Sequence, residues 1–338
     1  MRTVLALVLA AGLAVACAQA ESYITPDEVP EDSYVWLQGE YLGTVGEDRI
    51  GAQVVDWGGG SYELIVYEDG LPGEGWDPES GDERGIQAEL DNDSVTFSRD
   101  GYTAEVSLDG TLTVRDRDGA VLGVLERVIR QSPTLSQEAP EEATVLFDGT
   151  DLDMWRDGAE MTEDGLLGQG ARTAEDYGDL FIHVEYMLPY WERGESQANS
   201  GIYIQNRYEV QMLESFGREL ANHLDGSLYN VKAPEFLATL PPLQWQTLDI
   251  LFRAPRFDED GNKTENVRIS VYQNGALIHD EVELEGGTGA GGSREPREIE
   301  ADHFWLQDHT GEVRFQNVWI VEGAQDWPEP VKEALDIE

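Results

Sequence analysis

Between residues 100 and 119 the dipeptide Asp-Gly occurs three times, as Asp100-Gly101, Asp109-Gly110 and Asp118-Gly119, at intervals of nine residues. An Asp-Gly pair between short alternating runs is a hairpin signal, because both residues tolerate the positive φ that a tight connection demands. The runs it separates, 94–98, 102–108, 111–115 and 120–126, are strand-length, so this part of the chain is expected to be an antiparallel meander. Asp116-x-Asp118-Gly119 resembles a piece of a calcium loop. However, Val114 stands at the first ligand position and the closing glutamate is missing, so the segment reads as a turn. Upstream lie Gly39-Glu40-Tyr41-x-Gly43, Gly51-Ala52-Gln53-Val54 and Gly70-Leu71-Pro72-Gly73-x-Gly75-Trp76-Asp77, with no histidine and no catalytic spacing. Residues 21–131 therefore read as a small β-meander domain that supports, or docks onto, a second domain. The segment 132–143, with Pro133 and Pro140 among Gln and Glu, reads as a linker.

A length of 338 residues fits two domains, and nine tryptophans supply material for real cores. The 68 acidic residues against 22 basic ones leave a net charge of −46. That field repels phosphate backbones and anionic lipid, so nucleic acid is excluded as a partner. Residues 1–20 read as an export signal, with Arg2, an apolar run from Val4 to Val15 and a small-x-small site at Ala18-Gln19-Ala20. Cys17, the only cysteine, sits where a lipoprotein signal places its acylated residue, so a lipid anchor there is the one membrane link the chain suggests. A stray cysteine in a discarded peptide is the alternative. The expected location is the periplasm or, lipid-anchored, the cell envelope. With no other cysteine, thiol nucleophiles and Cys-ligated zinc are excluded.

From residue 144 to 325 a second all-β pattern appears. Strands are expected at 145–149, 180–187, 201–205, 208–213, 246–253, 268–273, 276–283, 303–307 and 313–321, with Asn274-Gly275 as a hairpin. About nine strands without a convincing helix imply a two-sheet sandwich; 326–338 is left as a C-terminal tail. The glycine run 286–292 comes after no β–α turn, so it reads as a lid or plain loop rather than a phosphate cradle. Within this domain Asn199–Gln211 is two-faced. Ile202, Ile204, Tyr208, Val210 and Met212 share one side at strand period, and Tyr203, Gln205, Arg207, Glu209 and Gln211 share the other. An aromatic, two amides, an arginine and a carboxylate in line are the inventory of a sugar-binding groove, though a solvated edge strand would show the same alternation.

Leu146-Phe147-Asp148-Gly149 with Trp155, then Asn199-Ser200-Gly201-Ile202-Tyr203, Tyr208-Glu209-Val210-Gln211, Gly226-x-x-Tyr229, Trp245-Gln246-Thr247, Asn274-Gly275 and Leu306-Gln307-Asp308-His309 fall in order. That series resembles the 3-keto-glycoside 1,2-lyase/hydratase family, also described as 3-keto-disaccharide hydrolases and long known as DUF1080. The resemblance covers about residues 144–322 and implies a concanavalin-like jelly roll behind the small antiparallel β domain. Many relatives read Cys-Gly-Ala-Ile-Tyr where this chain has Asp225-Gly226-Ser227-Leu228-Tyr229, and the loop 286–300 is long.

The family's reaction is glycoside cleavage: deprotonation at C2 beside a C3 ketone, elimination at C1 and rehydration. It requires no redox cofactor and calls for a base, a donor to the enolate and an acid near the leaving oxygen. Glu209 is the first candidate for the base or for a metal ligand; a structural pairing with Arg207 is the competing reading. His309 is the second, since imidazole titrates near neutrality, with Asp308 as an orienting group. Asn199, Gln205, Gln211 and Gln307 suit sugar hydroxyls. Tyr203 and Tyr229 suit a pyranose face, and Arg207 completes the binding set. Trp245 reads as core or sandwich edge, His183 as a packed histidine, and His223 and Lys232 as weak candidates near an enolate. No His/Glu spacing marks a zinc site, so a divalent ion is not indicated, although carboxylates could hold one. The alternative to an enzyme is a lectin-like carbohydrate-binding module on the same fold.

Overall fold

The computed structural model describes residues 22–156, 158–192, 198–288 and 298–337. The expected export signal with Cys17, and residues 289–292 of the glycine run, lie outside the described residues.

The first unit contains eight strands: β1 (Gly39–Val45), β2 (Asp48–Asp56), β3 (Ser61–Glu68), β4 (Glu83–Asp91), β5 (Ser94–Arg99), β6 (Tyr102–Ser107), β7 (Thr111–Arg115) and β8 (Val121–Val128). Each pairs antiparallel with the next, and β8 returns to β1, from Glu40↔Val128 to Val45↔Gly123. The expected meander is thus a closed barrel, which removes the two edges an open meander would expose. Asp100 and Gly101 have φ of 54° and 85°, the paired positive angles of a two-residue hairpin. Asp116 caps its own turn, accepting from the amides of Asp118 and Ala120, as expected of a turn.

The second unit has β9 (Thr144–Phe147), β10 (Leu180–Met187), β11 (Asn199–Ile204), β12 (Tyr208–Leu213), β13 (Trp245–Arg253), β14 (Val267–Gln273), β15 (Ala276–Leu284), β16 (Trp305–Leu306) and β17 (Arg314–Glu322). The back sheet runs β9-β17-β10-β13-β14-β15 and the front sheet β12-β11-β16. Between them lies one continuous apolar core that includes Ile182, Val184, Ile202, Val210, Ile250, Phe304 and Leu306. The chain is almost all β, a sandwich of the jelly-roll kind.

Two segments are more structured than the sequence suggested. The 132–143 linker lies on the outer face of the back sheet. There Ser132 and Thr134 are buried and bond the Thr247 hydroxyl, and Thr134 also reaches Asp249 at 2.7 Å. The C-terminal tail contains helix α1 (Glu329–Leu335), whose Val331 is fully buried against Phe181, Leu251 and Trp319. Both faces of β10 are therefore covered, which is why all eight of its residues are buried. Barrel and sandwich also dock. Phe216 inserts among Val55, Ile65, Tyr67 and Leu71 of the barrel, and the Tyr190 hydroxyl donates to Asp56 at 2.7 Å.

Candidate active site

The front sheet carries the two-faced stretch. β11 and β12 pair in the register Gly201↔Gln211, Ile202↔Val210 and Tyr203↔Glu209, and β16 adds Tyr203↔Trp305. Residues directly opposed across strands share a face. Ile202, Ile204, Val210, Met212, Phe304 and Leu306 point into the core. Tyr203, Glu209, Gln211, Trp305 and Gln307 therefore lie together on the opposite face, and by alternation so does His303.

Glu209 is 2% exposed. The Tyr203 hydroxyl donates to its Oε2 at 2.6 Å, and the Thr288 hydroxyl accepts from its backbone amide at 2.6 Å. Burial pushes the Glu209 carboxyl up to about 7, with the Tyr203 hydrogen bond pulling the other way. The carboxylate has room because residue 201, its diagonal neighbour, lacks a side chain. A Cβ there would come within 2.6 Å of Oε1.

Beside Tyr203 the Trp305 ring packs at 4.8 Å between centroids, and the Arg172 guanidinium lies 4.5 Å from the Trp305 ring. Arg172 is exposed and, among the described residues, has no carboxylate partner, unusual in so acidic a chain. Gln307 Nε2 faces the Tyr203 hydroxyl at 3.5 Å, while its buried Oε1 has no hydrogen-bond partner. His303 Nδ1 meets Asp302 Oδ1 at 2.7 Å, and its Nε2 is likewise buried and unpartnered. Asp302 thereby holds the Nδ1 proton and leaves Nε2 as an acceptor in the neutral ring. Buried polar atoms without partners are costly, so their accumulation beside an aromatic surface is what a ligand face looks like.

The other expected residues are more scattered. Gln211 is buried on the same face as Glu209. Arg207 lies at the β11–β12 turn, its carbonyl accepting from Thr288 at 3.1 Å and its side chain packed against Gly287. Tyr229 is half-buried in a segment that extends the sheet beyond β12, its amide donating to Glu209 O. Asn199 sits at the far end of β11, half-buried. Gln205 is not on the strand face, because β11 ends at Ile204. With φ of 51° it occupies the turn, and its amide is taken up by the Tyr177 and Glu300 carbonyls. Asp308 and His309 are exposed beyond β16, where Thr310 O accepts from the Asn199 amide. Four residues separate Asn199 from Tyr203, so His309 lies more than ~10 Å along the strand direction from the Glu209 level. The structure does not bring them together. His303 takes the place expected of His309, two residues before Trp305 and already beside an aspartate in the sequence. Trp245 lies on β13 in the back sheet, as a core or edge residue should. His223 and Lys232 are exposed in the loop flanking Gly226–Tyr229.

Asp225 is fully buried. It accepts from Leu213 N, Thr239, Gln273 and Tyr186, and burial raises it to about 6. It anchors the 214–229 loop, which extends the front sheet beside Glu209, to the back sheet. For a metal, Asp176, Asp302 and His303 offer ligand atoms within 4.8 Å of one another, a donor set suited to a divalent cation. Asp176 also pairs with Arg156 at 3.3 Å.

Residues 142–321, more than half of the chain, match the profile described as a 3-keto-α-glucoside-1,2-lyase-like domain. The chain belongs to this family. Among solved structures it is similar to a candidate glycosyl hydrolase from Parabacteroides distasonis, 32% identical over 54% of this chain and 85% of that one, with a TM-score of 0.49. A second candidate glycosyl hydrolase from the same organism is 19% identical over 55% of this chain and 98% of that one, with a TM-score of 0.41. No curated protein matches the chain. Family membership makes the C-terminal domain carbohydrate-related.

Proposed function

We propose that the sandwich domain cleaves 3-keto-glycosides by removing the C2 proton, expelling the C1 substituent and adding water to the enone, for net hydrolysis. The observation that carries this is Glu209. Its buried carboxyl is held near 7, where a base is about half ionised at neutral pH and strong enough to take an activated C–H proton. Gln211 offers an amide on the same face, while the Tyr203 hydroxyl donates to the Glu209 carboxylate and holds it in place. Strand spacing sets the Glu209 and His303 backbones roughly 10–12 Å apart, across β11, which leaves room for one pyranose between them. His303, oriented by Asp302 at Nδ1, gives a proton from Nε2 to the leaving oxygen when the ring carries both protons, while Trp305 supports the sugar face. Gln307 Oε1 accepts from a sugar hydroxyl. The electrons from the C2–H bond form the C1–C2 double bond as the C1–O bond breaks, so no redox cofactor takes part. Export to the periplasm, with or without a lipid anchor at Cys17, would place the enzyme among oxidised glycans.

The test is incubation with a 3-keto-disaccharide, monitoring release of the second sugar. Glu209→Gln is expected to lower kcat/KM by roughly 10³-fold or more with the fold retained, and the wild-type profile should rise with pH through about 7. Binding of unoxidised glycans with no turnover of any 3-keto-glycoside would leave a lectin instead.

A further inference from the structure

The barrel is not packed along its full length. The 3-10 turn Tyr34–Leu37 closes one end, where Leu37 and Tyr41 are fully buried and the Tyr41 hydroxyl bonds Leu37 O at 2.9 Å. At the other end, ringed by the β1–β2, β3–β4, β5–β6 and β7–β8 connections, the interior is not filled. A cavity of about 380 Å³ opens there, walled by Ile50, Ala52, Leu64, Phe97, Ala104 and Val114. Two alanines stand where longer side chains would fill the space. Ile50, Val66 and Val114 point into the barrel yet remain only partly buried, and Leu122 at the rim is 37% exposed. An eight-stranded barrel is just wide enough either to pack its own side chains or to hold one small ligand. This one does the first at its floor and leaves room for the second at its mouth.

We propose that the barrel is a binding cup for one compact, uncharged apolar molecule, a two-ring aromatic or a medium-length aliphatic chain. Size sets the upper bound, since a dry cavity of ~150 Å³ holds benzene and this one is larger by somewhat more than a factor of two. Charge selects against acids. The mouth carries Asp48, Glu83 and Asp100 against Arg99, and that arginine is engaged by Glu83 at 3.9 Å and by Arg84 O at 2.7 Å. A fatty-acid carboxylate would meet a net negative rim, whereas a neutral ligand meets no such repulsion. The cup is independent of the front-sheet face, which belongs to the other domain.

The experiment titrates the full-length protein with the neutral probe N-phenyl-1-naphthylamine, reading fluorescence enhancement, with displacement by 1-decanol and by decanoate. Saturable one-to-one binding is expected, displaced better by the alcohol than by the acid. Val114→Trp, which fills the cup, should weaken it at least tenfold. Where Val114→Trp loses the wild-type circular dichroism spectrum, Leu122→Trp at the exposed rim provides the same measurement. No saturable binding, stronger displacement by decanoate, or variants within twofold of wild type would overturn the cup. Turnover of 3-keto-glycosides is read separately in the same variants and bears only on the other site.

Discussion

The two sheets of the sandwich each carry a buried polar face, and the two are built in opposite ways. On the back sheet His183 bonds Asp249 at 2.7 Å and Glu185 at 3.4 Å. Glu185 in turn accepts from Asn317, Gln316 and the Ser136 amide, and Asp249 from Thr134. His183, Glu185 and Asp249 are all 0% exposed. On the front sheet Glu209, His303, Trp305 and Gln307 keep 2–8% exposure, and His303 and Gln307 each present an atom with nothing to bond. Burial alone does not separate the two faces; the hydrogen bonding of their titratable and amide groups does. Trp319 Nε1 and His279 Nδ1 are also unpartnered, but they belong to the back-sheet strands β17 and β15 and not to the Trp305 face.

The largest consequence is expected on the closed side. His183→Ala leaves two buried carboxylates without their cation and should cost about 3–5 kcal/mol in chemical denaturation. Burial works to lower the His183 imidazole, but Asp249 and Glu185 outweigh it and raise the group to about 9. Its contribution is therefore complete below 6.5 and lost as pH rises through 9, so the gap between wild type and variant should close above that value. An unchanged gap at pH 10 would mean that packing, not charge, holds this cluster. On the open side the substitution should act in the reverse sense, stabilising rather than destabilising. Glu209 is held above its ordinary 4.5, so the folded state binds the proton more tightly than the unfolded one, and stability falls as pH rises from 4.5 to 7. Glu209→Gln should thus match wild type at pH 5 and exceed it by up to roughly 3 kcal/mol at pH 8, seen as a higher Tm. A lower Tm at pH 8 would make Glu209 a structural residue. The smallest effect is expected for His303→Gln, a loss of about 10–100-fold in kcat/KM with little change in Tm; wild-type turnover would remove it from the reaction.

Some strand boundaries were legible from the apolar runs and the turn residues beside them. Tyr208–Leu213 and Leu180–Met187 are observed with the limits read from the sequence. Barrel closure was not legible, because the pairing of β8 with β1 spans about ninety residues and no local pattern records it. The shared face of Tyr203, Glu209 and Gln211 came from period two. The same period failed at Gln205, because the strand stops one residue earlier and the side chain is spent on the turn. Trp305, Gln307 and His309 were placed together by alternation, but the segment leaves the sheet after Leu306 and His309 goes with it. Extended backward instead of forward, the same alternation reaches His303, with Asp302 beside it. Arg172 on Trp305 comes from a segment more than a hundred residues away, and only the fold could show it.

Gly201 has an ordinary backbone and no reactive group, so nothing in its own conformation or chemistry marks it. Yet the carboxylate of Glu209 occupies the volume that any Cβ at that position would need. In a saturation library, residue 201 should therefore score as intolerant as Glu209 itself, even to alanine. Transplanting this constellation onto another sheet would require copying an empty volume as faithfully as the side chains around it.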